Sequence, residues 1–450
     1  MIKMNSQSKP VMEWHIVIKS LMSRVFFSAS QFIATLFVVV RFTTEQQGVY
    51  FTFLAILSIQ FIFELGLSQV VVTSISRIQS VTGNLGTISP ATVGIIRSSF
   101  KQYGRFAVLF FCVSTLAGVA FMWPKSTSTV TVWHLMIPWI FSTCAYSARF
   151  LIIWIEAIEE GNGGIARIIL VRSIAQIIWI LTFIGSTFFD NPLFAVPAAT
   201  LTSVLVSLLL YRDATEQIYN AAFAGQPSPT DRQWRNDVRQ FQGRMSMTWI
   251  ASYCISNLPV PIMYAFGSPA FAGRLGVALQ FGAVIGVVSA SLSVPRIAKA
   301  TAYLSTGQQS HFLSLFRATL FTTGLASLGV AVIAILSVYL IGYVFSSQVS
   351  QKIPSVVEIT PFIIASLTYS YMAIIALFYR SKQEEVFTTA LTIVAFSSVI
   401  TAIILAKSVN LFNIGLAFML PVLLIILPIS VYYHRKLYQS VRGCLTGKHS

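Results

Sequence analysis

The sequence predicts an all-α polytopic membrane protein of about twelve transmembrane helices, arranged as two groups of six. Three observations predict it. Hydrophobic residues make up 55% of the 450 residues and charged residues 10%, where a soluble chain carries roughly 25% charged residues, and the mean hydropathy is +0.75. Runs of the ~20 apolar residues needed to cross the hydrocarbon core recur along the whole chain. The basic residues concentrate in every second connection between those runs, the pattern of an alternating membrane path.

The runs read in order. The first, 17–40, follows an N-terminal stretch with no signal-peptide core or small-residue cleavage site, so it is expected as a retained helix. The second, 49–75, closes before Arg77. The third and fourth, 104–123 and 133–156, flank the polar turn around Pro124 and Lys125, and the fifth and sixth, 165–188 and 193–211, meet at Asp190-Asn191-Pro192. The longest polar stretch follows, with QPSPTDRQWRNDVRQFQGR in it. It reads as a linker between bundles, with an interfacial helix over RQWRNDVRQFQ as the alternative. The seventh run, 245–266, carries Pro259 and Pro261, which remove helix hydrogen bonds and are expected to bend it. The remaining runs are 274–294, 316–345, 356–379, 385–406 and 411–433. The domain reading is therefore a bundle over 1–212, a cytoplasmic linker over 213–244, and a second bundle over 245–450 ending in a basic tail. IIRSSFKQYGRF, Ile95–Phe106, mixes basic and apolar residues and is expected to lie on the inner surface before the third run.

Placing the N-terminus inside puts 22 of the 30 Lys and Arg residues on cytoplasmic segments, five outside and three within runs. That bias predicts N-in and C-in, and it accounts for the net charge of +16 without a nucleic-acid partner. Cys112, Cys144, Cys254 and Cys444 show no paired spacing and read as packing thiols, with neither a disulfide framework nor a metal site. His15, His134, His311, His434 and His449 are scattered. No HExxH, Walker-type loop or GxSxG is present, and the outer connections are short, so the chain reads as a transporter without cofactor rather than an enzyme.

Polar residues inside the runs carry the functional signal, because a charge at the membrane centre costs ~2.5–3.5 kcal/mol or more and survives where it meets a cavity or a partner. Arg24, Ser28, Gln31 and Thr35 fall on one helical face of the first run, and Gln60, Glu64 and Ser68 on one face of the second. The fourth carries Ser142, Tyr146 and Arg149 in a row ending near Glu156, the fifth Arg172 and Gln176, and the seventh Tyr253, Asn257 and Tyr264. Arg24, Arg149 and Arg172, with Arg274 in an outer connection, are the candidate cationic residues of a cavity. Gln31, Gln60, Ser68, Gln176 and Asn257 are its candidate polar lining. Three arginines against one acid inside the runs favour an anionic head group, and Arg presents a fork of donors suited to phosphate. The competing reading for Arg24 and Arg172 is snorkelling to the inner interface, and for the rows in general helix–helix association.

RFTTEQQGVYFTFLAILSIQFIFELGLSQVVVTSISR (Arg41–Arg77), EGNGGIARIILVRSIAQIIW (Glu160–Trp179) and PVPIMYAFGSPAFAGRLGVALQF (Pro259–Phe281) resemble segments of polysaccharide flippases of the multidrug/oligosaccharidyl-lipid/polysaccharide exporter superfamily, and most nearly its O-antigen, Wzx-type branch. The resemblance implies two six-helix bundles forming a V around a central cavity, alternating access by rocking of the bundles, and a bacterial inner-membrane location. It implies an undecaprenyl-pyrophosphate-linked oligosaccharide as cargo within the bilayer lipids, a proton or sodium ion as coupling partner, and a polysaccharide polymerase complex as associate. Glu64 then either pairs with Arg24 across the first hairpin or carries the coupling ion. Two alternatives stay open: a multidrug cation antiporter of the same fold, and a membrane polysaccharide polymerase or ligase.

Overall fold

The computed structural model describes residues 14–64, 66–82, 92–122, 132–224, 246–305, 307–344, 349, 351–382, 384–407 and 410–445. These residues are helical almost throughout, and ten helices among them are long and apolar enough to cross a membrane. The difference from the expected twelve has a local cause at two places. Within the first helix, α1 (Trp14–Arg41), the apolar stretch is Ala29–Arg41, too short by itself to span, and the seventh run is split in two.

The first half continues with α2 (Thr44–Leu57), α3 (Gln60–Glu64), α4 (Leu67–Thr82), α5 (Val93–Met122), α6 (Val132–Gly161), α7 (Ile165–Ser186), α8 (Ala195–Leu210) and α9 (Arg212–Ala224). The second half holds α10 (246–256), α11 (Pro259–Phe266), α12 (Pro269–Ser293), α13 (Ile297–Ser305), α14 (Gln309–Val344), α15 (Val356–Arg380), α16 (Thr388–Leu405), α17 (Leu411–Pro421), a π turn over Val422–Ile426, and α18 (Leu427–Leu445). Each half buries its aromatic residues inward, as where Phe53 meets Trp139 edge-on at 4.8 Å and Phe316 meets Phe378 at 4.9 Å. Outward-facing Leu116, Phe321 and Leu424 stay exposed, as residues in contact with lipid must.

Several sequence expectations change. The second run is not one rod. The turn at Ser58 and Ile59 ends α2, and Gly66, in the left-handed region at φ 71°, separates α3 from α4. Ile95–Phe106 is not a separate surface segment but the opening turns of α5, a continuous 30-residue helix. The first part of the expected linker is helical, as α9; RQWRNDVRQFQ lies outside the described residues. Cys112 and Cys144 are exposed rather than packed, Cys254 is half-buried, and the Cys444 side chain lies outside the described residues.

The last helix packs near the start of α14, where Phe316 meets Tyr438, while the residues after α14 reach the end of α1, where Lys352 meets Phe42. The molecule thus has a proximal end, where the last helix finishes, and a distal end, where α1 finishes. The halves join at the distal end. Gly48 on α2 lies so close to α12 that an added Cβ would sit 2.0 Å from the Pro269 carbonyl oxygen, and one on Gly276 would sit 2.2 Å from the Phe51 ring. Gln47 Nε2 donates to the Lys352 carbonyl at 3.1 Å. Lys352 Nζ donates to the Phe42 and Val39 carbonyls at 2.7 and 3.3 Å, capping the C-terminus of α1 with a positive charge. Nearer the middle, Phe32 of α1 meets Phe281 of α12 edge-on at 5.5 Å.

Candidate functional site

Below that distal seam each half encloses a cavity. The first-half cavity, about 410 Å³, lies between α1, α3, α4, α6, α7 and α8, with Val287 of α12 at its edge. Its charged lining is Glu64, Arg149, Glu156, Glu160 and Arg172. α6 delivers three of these. Arg149, Glu156 and Glu160 lie seven and then four residues apart, so they share one face and step outward from the cavity floor. At 1.5 Å per residue, Arg149 is ~16 Å deeper than Glu160 along the axis.

The two arginines differ in their partners. Arg172 holds Glu156 with two parallel bonds, Nε to Oε1 at 3.1 Å and an Nη to Oε2 at 2.9 Å. The Glu156 side chain is 10% exposed and that of Arg172 55%. Glu156 is therefore compensated, and Arg172 still presents a face to the cavity. Arg149 forms no hydrogen bond or ion pair with any described residue, although it is exposed to the cavity and acts electrostatically on Glu64 and Tyr146. Glu64 has Ser68 one turn on and Arg149 across the cavity, with no ion pair within 4.0 Å among the described residues.

The structure therefore brings together Gln31, Glu64, Ser68, Arg149, Arg172 and Gln176, all of which the sequence singles out. Gln176 Nε2 is buried without a protein partner. The Arg24 side chain lies outside the described residues, so the Arg24–Glu64 pair has no geometry here. Two candidates are displaced. Gln60 is 5% exposed and does not line the cavity; within the five-residue α3 it is Phe61 and Glu64 that reach the lining, while Gln60 opens the helix and is buried. Arg274 lines neither the Glu64–Arg149 cavity nor that of Asn257, but a separate one of about 420 Å³ between the end of α14 and residues 353–356. It pairs with Glu358 at 2.6 Å, and that carboxylate also accepts from the backbone and hydroxyl of Ser355 in the capping box of α15. Arg274 is thus not a cationic residue of the central cavity.

Sequence reasoning missed Glu160, Trp179, Thr200, Ser203 and Ser207 in this lining. The last three fall at i, i+3 and i+7 on α8, a row of small hydroxyls that could have been read. The count of charges also changes: three acids and two arginines line the described cavity, so the arginine excess read from the sequence does not hold there.

The second-half cavity, about 640 Å³, is lined mainly by α10, α12 and α15, with Phe51, Leu54 and Ala55 of α2, Leu391 of α16 and Phe418 of α17. Asn257 lines it at the point where the helix stops, with Asn257 and Leu258 both donating to the Tyr253 carbonyl, just before Pro259 and Pro261 restart it as α11. Leu54 of α2 lines both cavities, and neighbouring α12 residues line each, Gly286 the second and Val287 the first, so the two spaces adjoin.

No protein-family model and no curated protein sequence matches the chain. Solved structures do match in fold. An inward-facing multidrug resistance MATE family transporter of the MOP superfamily superposes with a TM-score of 0.71 at 12% identity, over 95% of this chain and 99% of that one. The lipid II flippase MurJ in an inward closed conformation gives 0.66 at 13% identity, over 95% and 89%. An outward-facing structure of a multidrug resistance MATE family transporter gives 0.65 at 11% identity, over 95% and 96%. The chain has the fold of these transporters and flippases.

Proposed function

We propose that the chain moves an undecaprenyl-pyrophosphate-linked oligosaccharide from the cytoplasmic to the outer leaflet of a bacterial inner membrane by alternating access. The observation that carries this reading is Arg149, a cation without a hydrogen-bond or ion-pair partner among the described residues, at the floor of a cavity below a closed distal seam. An exposed guanidinium facing a cavity with no ion pair of its own has its full fork of donors available to an anion. Pyrophosphate supplies one, and Arg172 adds donors that Glu156 does not use. The distribution of basic residues supports a cytoplasmic proximal end, where such a lipid would enter. Rocking about the distal seam would then close the proximal end and release the head group outside. Glu64 faces Arg149 and is the acid placed to exchange a proton or sodium ion as the phosphate arrives or leaves.

The test is binding to the purified protein in nanodiscs. Undecaprenyl pyrophosphate should bind, and Arg149→Ala should weaken it about 10- to 100-fold, the loss of one charge-assisted hydrogen bond of ~1.5–3 kcal/mol. Equal binding by wild type and Arg149→Ala sinks the assignment.

One observation favours a second reading. Glu64, Glu156 and Glu160 line the same cavity, and an acid without an ion pair suits a lipophilic cation. This would be a multidrug exporter, and tetraphenylphosphonium binding abolished by Glu64→Gln would select it.

A further inference from the structure

The proposed cargo has two chemically different parts in its head, and the molecule has two chemically different cavities. We infer that the second-half cavity is the glycan subsite and that it selects an uncharged oligosaccharide. This rests on the flippase reading and extends it to the class of sugar carried.

Charge is the first argument. Among the described residues the only charged ones lining the second cavity are Arg380 and Glu385, and they bond each other at 2.6 Å. The rest of the lining is apolar or neutral polar. A glycan bearing carboxylates would enter a space with no free cation to meet it and would lose its hydration without compensation. A neutral glycan meets no such penalty.

Unused hydrogen-bonding capacity is the second. Asn257, Gln280 and Ser366 line the cavity and make no side-chain hydrogen bond to a described residue. Ser289 and Ser370 are 2% and 5% exposed. Their hydroxyls, and that of Tyr369, are buried in the same wall without a partner among the described residues. Buried polar atoms are ordinarily paired. Several orphaned together in one cavity form a surface complementary to a ligand that brings its own donors and acceptors, as sugar hydroxyls do.

Shape and position are the third. At about 640 Å³ the space falls within the range of roughly 300–1,000 Å³ typical of small-molecule sites. It adjoins the arginine-bearing cavity at Leu54 and at Gly286–Val287. A pyrophosphate at Arg149 would thus have its first sugar at the border of the second cavity.

Gly286 gives the test. An added Cβ there meets no atom within 4 Å, so Gly286→Leu projects into the cavity without a backbone clash, and leucine suits a helix better than glycine does. Gln280→Leu keeps the bulk and removes the amide. The assay uses the full chain in nanodiscs with three probes: undecaprenyl pyrophosphate, the same lipid carrying a neutral N-acetylhexosamine trisaccharide, and the same lipid carrying a trisaccharide with a hexuronic acid. Wild type should bind the neutral glycolipid at least tenfold more tightly than the bare lipid, and the uronic form no more tightly than the bare lipid. Gly286→Leu should bring the neutral-to-bare ratio to near one while bare-lipid binding stays within twofold, and that retained binding shows the variant is folded. Gln280→Leu should lower the ratio part way. A wild-type ratio of one, a uronic form bound as tightly as the neutral one, or a Gly286→Leu that leaves the ratio intact would overturn the subsite while leaving the flippase reading standing. If wild type binds none of the lipids but binds tetraphenylphosphonium, the flippase reading itself falls.

Discussion

The two adjoining cavities differ in kind. The first is small and ionic: Glu64, Arg149, Glu156, Glu160 and Arg172 share about 410 Å³. The second is half again as large, and the only charges among its described lining neutralise each other at 2.6 Å. A symmetric pair of ionic cavities would suit a small ion or drug taken at either side. An ionic pocket beside a neutral hydroxyl-bearing one suits a long amphiphile whose head is charged at one end only. The asymmetry, more than either cavity alone, supports a lipid-linked glycan as cargo.

The comparison breaks first at Arg149. Arg149→Ala should abolish surface polysaccharide in cells at normal membrane abundance, whereas Asn257→Ala in the other half should reduce it only several-fold, since one neutral hydrogen bond contributes about 0.5–1.5 kcal/mol. Surface polymer measured side by side decides it. Equal losses would remove the distinction between the halves.

The second effect concerns what joins them. At Gly48 a Cβ has no room against Pro269, and overpacking of this kind costs about 1–3 kcal/mol. Gly48→Ala should shift the population toward a distally open form by roughly ten- to a hundredfold. Thiol labelling of a cysteine introduced at Phe51 reads the opening directly, and unchanged labelling would show that the seam is not what closes the distal end.

How much of this was legible in the sequence depends on helical continuity. Arg149 and Arg172 were found because each sits in an unbroken helix whose face is fixed by periodicity. Glu64 and Ser68 were found, but Gln60 was misplaced with them. The helix α3 is only five residues long, bounded by the turn at Ser58–Ile59 and the left-handed Gly66, so helical spacing does not say which of its residues reach the cavity: Phe61 and Glu64 do, and Gln60 is buried. Arg274 was misread because nothing in one sequence pairs it with Glu358, 84 residues on. The second cavity was nearly invisible. Serines in apolar helices commonly bond back to the preceding turn, as Ser291 does to Val287 and Ser293 to Ser289. Only packing shows that Ser289 and Ser366 do not.

A third prediction sharpens the ionic half. Arg172 and Glu156 form a pair of unequal burial, 55% and 10% exposed. Removing the arginine strands a nearly buried carboxylate, which costs up to ~3–5 kcal/mol when burial is complete. Removing the carboxylate frees a guanidinium already in contact with the cavity. Arg172→Met should therefore lower the unfolding temperature in detergent by several degrees, and Glu156→Gln by clearly less. The reverse order would mean that Arg172 depends on the pair more than Glu156 does.

The smallest expected effect tests the seam without touching either cavity. Lys352 reaches from the second half to the last carbonyls of α1. A cation at a helix C-terminus stabilises by about 0.3–1 kcal/mol when exposed, so Lys352→Met should shift the closed-to-open balance only about two- to fivefold. Lys352→Arg retains the charge but must fit a bulkier head between Val39 and Phe42, so it should fall between wild type and Lys352→Met. Because Gln47 binds the Lys352 backbone rather than its side chain, that contact survives both substitutions and keeps the seam from opening fully. Combining Lys352→Met with Gln47→Leu should then add a further increment in the labelling assay. If the double variant behaves as Lys352→Met alone, the Gln47 bond carries none of the closure, and the seam rests on the glycine contacts of α2 and α12.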